Sequence, residues 1–205
     1  MFTGIVQSQA EVISVTTANK LSRLVIGVDR HLISQLQLGA SLAINGVCLT
    51  VVTFDEQADE QYHIAFDVID ETLRVTTLDQ VVAGDWVNME RSLKVGDEVG
   101  GHMVSGHVHF KSTLVKRDET ATNTTLYFSC ENPWLKYVFD KGFITINGTS
   151  LTVGKVTDTM FNVHLIPETL TRTNLGKLNV ADKVNLEFDQ QTMTIVNTIE
   201  RMKLT

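Results

Sequence analysis

One eight-residue phrase occurs twice in this chain. Ile44-Asn45-Gly46-Val47-Cys48-Leu49-Thr50-Val51 returns 102 positions later as Ile146-Asn147-Gly148-Thr149-Ser150-Leu151-Thr152-Val153, with six of its eight residues unchanged. A repeat at this distance means that two copies of one unit must account for the fold. Asn-Gly suits a tight turn, because Gly, and to a lesser degree Asn, tolerates positive φ. The Leu-Thr-Val that follows has strand composition. Each copy predicts strand, turn, strand, with one small side chain just past the turn: Cys48 in the first, Ser150 in the second.

The duplication spreads outward from this phrase. Thr3-Gly4-Ile5-Val6 matches Ser105-Gly106-His107-Val108, again at 102 residues. Ile69-Asp70-Glu71-Thr72-Leu73 matches Ile166-Pro167-Glu168-Thr169-Leu170 at 97, and Asp85, Val87, Asn88 and Glu90 match Asp182, Val184, Asn185 and Glu187 at the same spacing. The register change of five falls on Asp55 to Gln61, an acidic stretch that reads as a lengthened hairpin loop. Met1 aligns with Met103, which predicts units at 1–102 and 103–190, with 191–205 outside both repeats.

Most segments within each unit are short, β-branched and bounded by turn residues. Strands are predicted at Val12–Val15, Ser22–Val28, Ser41–Ile44, Leu49–Phe54, Tyr62–Phe66 and Trp86–Glu90. Their second-half counterparts are Val108–Val115, Thr124–Cys130, Phe143–Ile146, Leu151–Val156, Met160–Leu165 and Lys183–Phe188. The fold class expected is all-β: two similar six-stranded antiparallel Greek-key barrels, which leave no open edge, plus a C-terminal α-helix. Asn132-Pro133-Trp134, closing at Gly142, predicts a short helix, with Asp29 to Gly39 its equivalent. Each Glu-Thr-Leu predicts one further helical turn. From Thr192, Ile195, Val196, Ile199 and Met202 follow helical spacing. That helix can dock on its own barrels or associate with other copies.

The net charge of −7 and scattered Lys and Arg argue against a nucleic-acid partner. No run of 18 apolar residues is present, and the N-terminus does not read as a signal peptide. Cys48 and Cys130 lie in different halves and in no metal-ligand spacing, so both read as reduced thiols of a cytoplasmic protein. The commonest dinucleotide, phosphate, zinc and esterase motifs are absent. His107 and His109 would share a face if their segment were a strand, a spacing that could hold a metal, yet no nearby carboxylate or Cys completes a set. Taken singly, the other polar residues have structural explanations. Cys48 suits a small buried position, Glu71 and Glu168 helix starts and Lys141 a helix end, and Ser150 and Thr152 local backbone bonds. Jointly they fall at corresponding turns and differ between copies: Ile5 against His107, Cys48 against Ser150, Asp67 against His164, Asp70 against Pro167. Matched frames with unlike polar groups imply two similar pockets with different tasks.

Met-Phe-Thr-Gly-Ile-Val at the start, Asn-Gly-Val-Cys-Leu-Thr-Val, Gly-Gly-His-Met-Val-Ser-Gly-His-Val and His164-Leu165-Ile166-Pro167-Glu168-Thr169-Leu170 together resemble riboflavin synthase of the α-chain type, from Met1 to about Asn197. The resemblance implies a homotrimer held by C-terminal helices, with neither metal nor redox cofactor. It implies a transferase that dismutates two molecules of 6,7-dimethyl-8-ribityllumazine, one giving a four-carbon unit to the other. The products are riboflavin and 5-amino-6-(D-ribitylamino)uracil, the last step of riboflavin biosynthesis. The active site forms between the N-terminal barrel of one subunit and the C-terminal barrel of its neighbour. Association with lumazine synthase has no signature in these residues.

By the same resemblance, substrate-binding positions fall on Gly4, Ile5 and Val6; Cys48, Leu49 and Thr50; Asp67, Val68, Ile69, Asp70, Glu71 and Thr72; Gly106, His107 and Val108; Lys141; Ser150, Leu151 and Thr152; and Leu165, Ile166, Pro167, Glu168, Thr169 and Leu170. Proton transfer is expected of His107, supported by Ser150 and Thr152. Cys48, Ser41, Glu71 and Phe2 would contribute from the N-terminal barrel, Phe2 by packing on a substrate ring, with Asp189 nearby. Asn147 stands where many members carry Asp, so this chain has no carboxylate at that turn. Two other readings are a non-catalytic carrier like the lumazine and yellow fluorescent proteins, and a metal-binding protein using the histidine cluster.

Overall fold

Short apolar runs separated by glycine and asparagine turns can bury their side chains by rolling each half into a closed sheet. The computed structural model describes residues 1–57 and 61–203 and has this form twice. In the first half, β1 (Ser8–Ala18), β2 (Leu21–Asp29), β3 (Ser41–Ile44), β4 (Val47–Glu56), β5 (Gln61–Ile69) and β6 (Trp86–Arg91) close in the order β1-β2-β5-β4-β3-β6. In the second, β7 (Phe110–Glu119), β8 (Thr124–Ser129), β9 (Phe143–Ile146), β10 (Thr149–Val156), β11 (Met160–Leu165) and β12 (Lys183–Phe188) close in the matching order β7-β8-β11-β10-β9-β12. Even the irregularities repeat. The β1–β2 register shifts between Val12 and Ser14, and the β7–β8 register between Leu114 and Lys116. Such bulges bend a long strand around a small barrel.

Each barrel has its own core. Ile26, Ile64, Phe66 and Met89 fill the first, and Phe128, Phe161, Leu186 and Phe188 the second. Strand alternation turns Leu49 and Val51 inward and leaves Cys48 and Thr50 on the outer wall; Leu151, Val153, Ser150 and Thr152 repeat this in β10. One-turn helices α1 (Asp70–Val75) and α2 (Pro167–Arg172) follow β5 and β11. The chain ends in α3 (Gln190–Lys203). Among the described residues no helix is long and apolar enough to cross a membrane.

The two Asn-Gly turns meet where the barrels touch. Gly46 and Gly148 lie back to back, so close that a Cβ on Gly46 would come 2.5 Å from the Gly148 nitrogen. Around them the Asn88 amide donates to the Asn147 carbonyl at 2.9 Å and the Asn185 amide to the Asn45 carbonyl at 2.8 Å. Asn45 Oδ1 accepts from the Asn88 N–H, and Asn147 Oδ1 from the Asn185 N–H, both at 2.8 Å. The Asn147 amide also donates to Asn174 Oδ1 at 3.2 Å. Asn147 is thus buried in the inter-barrel contact, and its amide supplies a donor that a carboxylate lacks.

Local structure departs from expectation at the connectors. Asn132 to Gly142 holds a four-residue 3-10 turn, Trp134–Tyr137, with Pro133 at its cap instead of its first helical position. Asp29 to Gly39 holds another, Arg30–Ile33. Tyr137 and Val138 must enter the core at once, as must Ile33 and Leu36, which leaves no room for a longer helix. β7 begins at Phe110, so Val108 and His109 precede it. Asp55 and Glu56 continue β4, and Gln61 opens β5; the rest of the expected loop, at Ala58, Asp59 and Glu60, lies outside the described residues.

Candidate active site

Each barrel presents an outer wall, and an extended arm from the other half lies across it. The first arm, Thr3-Gly4-Ile5-Val6, precedes β1, yet its Gly4 carbonyl accepts from the Ser150 N–H on β10 at 2.8 Å. The second arm, Ser105-Gly106-His107-Val108, precedes β7, and its Gly106 carbonyl accepts from the Cys48 N–H on β4, also at 2.8 Å. Val108 packs on the first barrel's core. Phe2 and Val104 bridge the two arms antiparallel. Glycine is required at both crossings: φ is +74° at Gly4 and +80° at Gly106, and a Cβ would press on the Cβ of Ser150 or Cys48 at 2.5 and 2.7 Å.

These crossings mark two matched sets of residues on the outer walls, the candidate pockets. The N-terminal pocket has Cys48 and exposed Thr50 on β4, Asp67 near the end of β5, Ile69, Asp70 and Glu71 at the start of α1, and the second arm. The C-terminal pocket has Ser150 and exposed Thr152 on β10, His164 on β11, Ile166, Pro167 and Glu168 at the start of α2, and the first arm. Val51 pairs with Phe66 and Val153 with Val163, so Thr50 neighbours Asp67, and Thr152 neighbours His164. Exposed Ile69 (57%) and Ile166 (62%) give each pocket an apolar lip. Buried Leu49, Val68, Leu151 and Leu165 are wall supports.

Chemically the pockets differ. In the C-terminal one, His102 Nδ1 lies 2.6 Å from Ser150 Oγ and Nε2 lies 3.2 Å from Thr145 Oγ1. The ring stacks on Phe143, centroids 4.8 Å apart and planes 15° apart. With its proton on Nε2, the imidazole donates to Thr145 and accepts from the Ser150 hydroxyl. Burial pushes the His102 pKa down, and the Asp189 carboxylate acts weakly against it, so the ring is a neutral base. At the equivalent positions the N-terminal pocket has Cys48, Ala43 and Ser41 for Ser150, Thr145 and Phe143, and His102 has no counterpart, since it stands ahead of the repeat.

Several expected residues are placed otherwise than the sequence suggested. His107 stands beside Cys48, not with Ser150, because its arm crosses to the first barrel; its side chain is exposed. His109 does not share a strand face with it. Its ring packs on Phe188 and Trp134, its Nδ1 accepts from the Phe188 N–H at 3.3 Å, and burial pushes its pKa down to about 4. Among the described residues no group of three or more His, Cys, Asp or Glu is placed to hold a metal. Phe2 is fully buried against Ala43, Val104 and Cys48, beneath the pocket wall instead of open to it.

Glu71 pairs with Arg74 and Glu168 with Arg172, all exposed. Asp67 is held by a two-pronged bond from Arg23, whose guanidinium keeps its pKa down. Lys141, at positive φ, donates its N–H to Val153 in the turn before β9, not at a helix end. The Ser41 carbonyl accepts from the Ser92 hydroxyl. Asp189 caps α3 through Thr192, within electrostatic reach of His102. Sequence reasoning missed His102 itself; the available signal was a histidine directly ahead of the repeat boundary, present in one copy's surroundings alone.

The lumazine binding domain family model matches residues 3–92 and 105–189. Riboflavin synthase of Escherichia coli strain K12 is 45% identical over 203 residues, covering 98% of this chain and 93% of that protein. Riboflavin synthase of Chlamydia pneumoniae is 40% identical, covering 98% and 96%. Among solved structures, LumP in complex with 6,7-dimethyl-8-(1'-D-ribityl) lumazine superposes with a TM-score of 0.82 at 22% identity, covering 93% of this chain and all of that one, a likeness of fold. LumP with riboflavin has the same TM-score at 25% identity.

Proposed function

This chain belongs to the riboflavin synthase family, and we propose that each of its two pockets takes one lumazine. The enzyme converts two molecules of 6,7-dimethyl-8-ribityllumazine into riboflavin and 5-amino-6-(D-ribitylamino)uracil. In the proposed reading it is a cytoplasmic transferase of three identical subunits, organised as barrels 1–102 and 103–190 and a trimerisation helix 191–205. The carrying observation is that the same frame holds different groups: His102, Ser150 and Thr145 in one pocket, Cys48 and Ala43 in the other. One substrate used in two roles calls for such a pair.

The ring system would lie on the outer wall beneath the arm, with backbone groups of Gly4–Val6, Gly106–Val108, Leu165–Ile166 and Val68–Ile69 at its edge. The ribityl hydroxyls would meet Thr50, Asp67 and Thr72 in one pocket and Thr152, His164 and Thr169 in the other. Removal of a proton from the C7 methyl is assigned to the C-terminal pocket, where neutral His102 draws on the Ser150 hydroxyl. Cys48, with His107 on the arm above it, serves the other lumazine. Incubation with the lumazine alone should yield one riboflavin per two substrate molecules consumed. Fluorescence on binding without turnover would overturn the assignment in favour of a carrier.

Assembly is proposed through α3. Met193 and Val196 pack on the second barrel, and Tyr137 and Lys136 bond Asn197 and Glu200, so one face of the helix is docked. Ile195, Ile199 and Met202 form a second apolar stripe, 47 to 71% exposed. In the trimer this stripe would meet its copies and bring the N-terminal pocket of one subunit against the C-terminal pocket of the next. Replacing Ile195 and Ile199 together by Glu should convert trimer to monomer in sedimentation and reduce turnover at least tenfold. An unchanged trimer would exclude the helix as its seam.

A further inference from the structure

Each arm is fastened to one barrel and used by the other. Glu90, on β6, accepts the Thr3 N–H at 2.7 Å and the Thr3 hydroxyl at 2.8 Å on Oε1, and the Gly4 N–H at 3.0 Å on Oε2. Glu187, on β12, accepts the Ser105 N–H at 2.8 Å and the Ser105 hydroxyl at 2.7 Å on Oε1, and the Gly106 N–H at 3.0 Å on Oε2. Both carboxylates are buried, at 5% and 4% exposure, and among the described residues neither has an ion-pair partner. A buried carboxylate without a cation is costly unless donors surround it, and here the donors are those of the arm.

The arm held by Glu90 does not cover the first barrel. Its Gly4 carbonyl receives the Ser150 N–H, and the Thr3 carbonyl receives the His102 N–H at 3.1 Å, so Glu90 fixes the roof of the C-terminal pocket. The arm held by Glu187 lies on Cys48 and fixes the roof of the N-terminal pocket. Behind the first arm a hollow of about 490 Å³, lined by Thr3, Ile5, Glu90, Arg91 and Gly100 among others, offers room for an unfastened arm to withdraw.

We propose that Glu90 and Glu187 are crossed positioning residues: each carboxylate, from within one barrel, sets the affinity of the other barrel's pocket. This rests on the pocket assignment made above. An isosteric amide is a sharp probe, because Gln can still accept from Thr3 or Ser105 but turns an NH2 towards the N–H of Gly4 or Gly106. Two donors then face each other in a buried place.

The test uses the full-length chain carrying Glu90→Gln or Glu187→Gln, with riboflavin as ligand. Protection of the half-buried Cys48 thiol from a thiol reagent reads the N-terminal pocket, since Cys130 is fully buried. Ligand occupancy in crystals reads both pockets, and amide exchange reads the arms. For Glu187→Gln, the riboflavin needed to protect Cys48 should rise at least tenfold, exchange should quicken at residues 106–108, and the C-terminal pocket should fill normally. For Glu90→Gln, Cys48 protection should persist, exchange should quicken at residues 4–6, and the C-terminal pocket should empty. Thr3→Val and Ser105→Ala, which each remove one hydroxyl donor, should show the same crossed pattern more weakly and cover the case of an amide variant that fails to fold. Weakening of both pockets alike, or of the pocket on the substituted barrel, overturns the proposal. If riboflavin fails to protect Cys48 in the unsubstituted chain, the pocket assignment falls and the proposal with it. Faster arm exchange with both pockets still filling normally would overturn the crossed roles alone.

Discussion

His102→Ala should lower kcat about 100-fold, within the range that a positioned general base contributes, while changing KM much less. The ring is the basic nitrogen bonded to a pocket hydroxyl, with Ser150 on one side and Thr145 on the other. Alanine would also strip the partner from buried Thr145 and the stacking ring from Phe143, so His102→Gln is the better probe. Glutamine keeps a group that can bond Ser150 but takes no proton near neutrality. It should fold as the parent does and lose nearly as much turnover. The pH profile separates chemistry from packing. Burial lowers the His102 pKa below its ordinary 6.5, so the working neutral form persists under that pH and fails only as pH falls through the lowered value. The acid limb of kcat should therefore lie below pH 6.5 and vanish in His102→Gln. Asp189→Asn removes the charge that holds the pKa up and should move the limb further down. A glutamine variant keeping more than a tenth of parental turnover would rule His102 out as the base.

What the chain discloses without coordinates follows from how local each signal is. The repeat is written in short contiguous phrases that recur 102 or 97 residues on, and it carries the two barrels, their turns and the Cys48–Ser150 asymmetry. The helical spacing of Ile195, Ile199 and Met202 is compatible with docking and with self-association alike; in the structure Met193 and Val196 are docked, while Ile195, Ile199 and Met202 are exposed. The crossing of the arms is another matter. Thr3-Gly4-Ile5-Val6 looks like the start of its own barrel, and only the contact from Ser150, 146 residues on, reveals that it roofs the other. That exchange is why His107 lies beside Cys48, and why His102, at the boundary between the repeats, is the partner of Ser150. The Asn-Gly turns themselves belong to the contact between the barrels: Asn45 and Asn147 face each other's barrel, and the pocket residues follow three and five places later, at Cys48 and Thr50 and at Ser150 and Thr152.

Those turns carry the largest effect expected on stability. Gly46 has φ +77°, where an alanine costs about 1 kcal/mol from backbone conformation alone. Its Cβ would also stand 2.5 Å from the Gly148 nitrogen and 2.9 Å from its Cα. Those atoms are backbone of the opposite turn, held by Asn88 and Asn185, so no side chain can swing aside. Relief requires the barrels to part, which breaks the asparagine bonds on both sides of the contact and leaves buried amides unpaired. The total for Gly46→Ala should be about 4 kcal/mol, a large fraction of the stability of an ordinary domain. Gly39 supplies the control: its φ is +82°, but nothing lies within 4 Å of its Cβ position, so Gly39→Ala should cost only the conformational part. Denaturant unfolding of the two variants side by side isolates the contact. Equal losses would mean that the turns merely tolerate one another. A clearly larger loss for Gly46→Ala than for Gly39→Ala, with both pockets weakened together, would mean that the glycine contact sets the barrels at the angle from which each arm reaches its pocket.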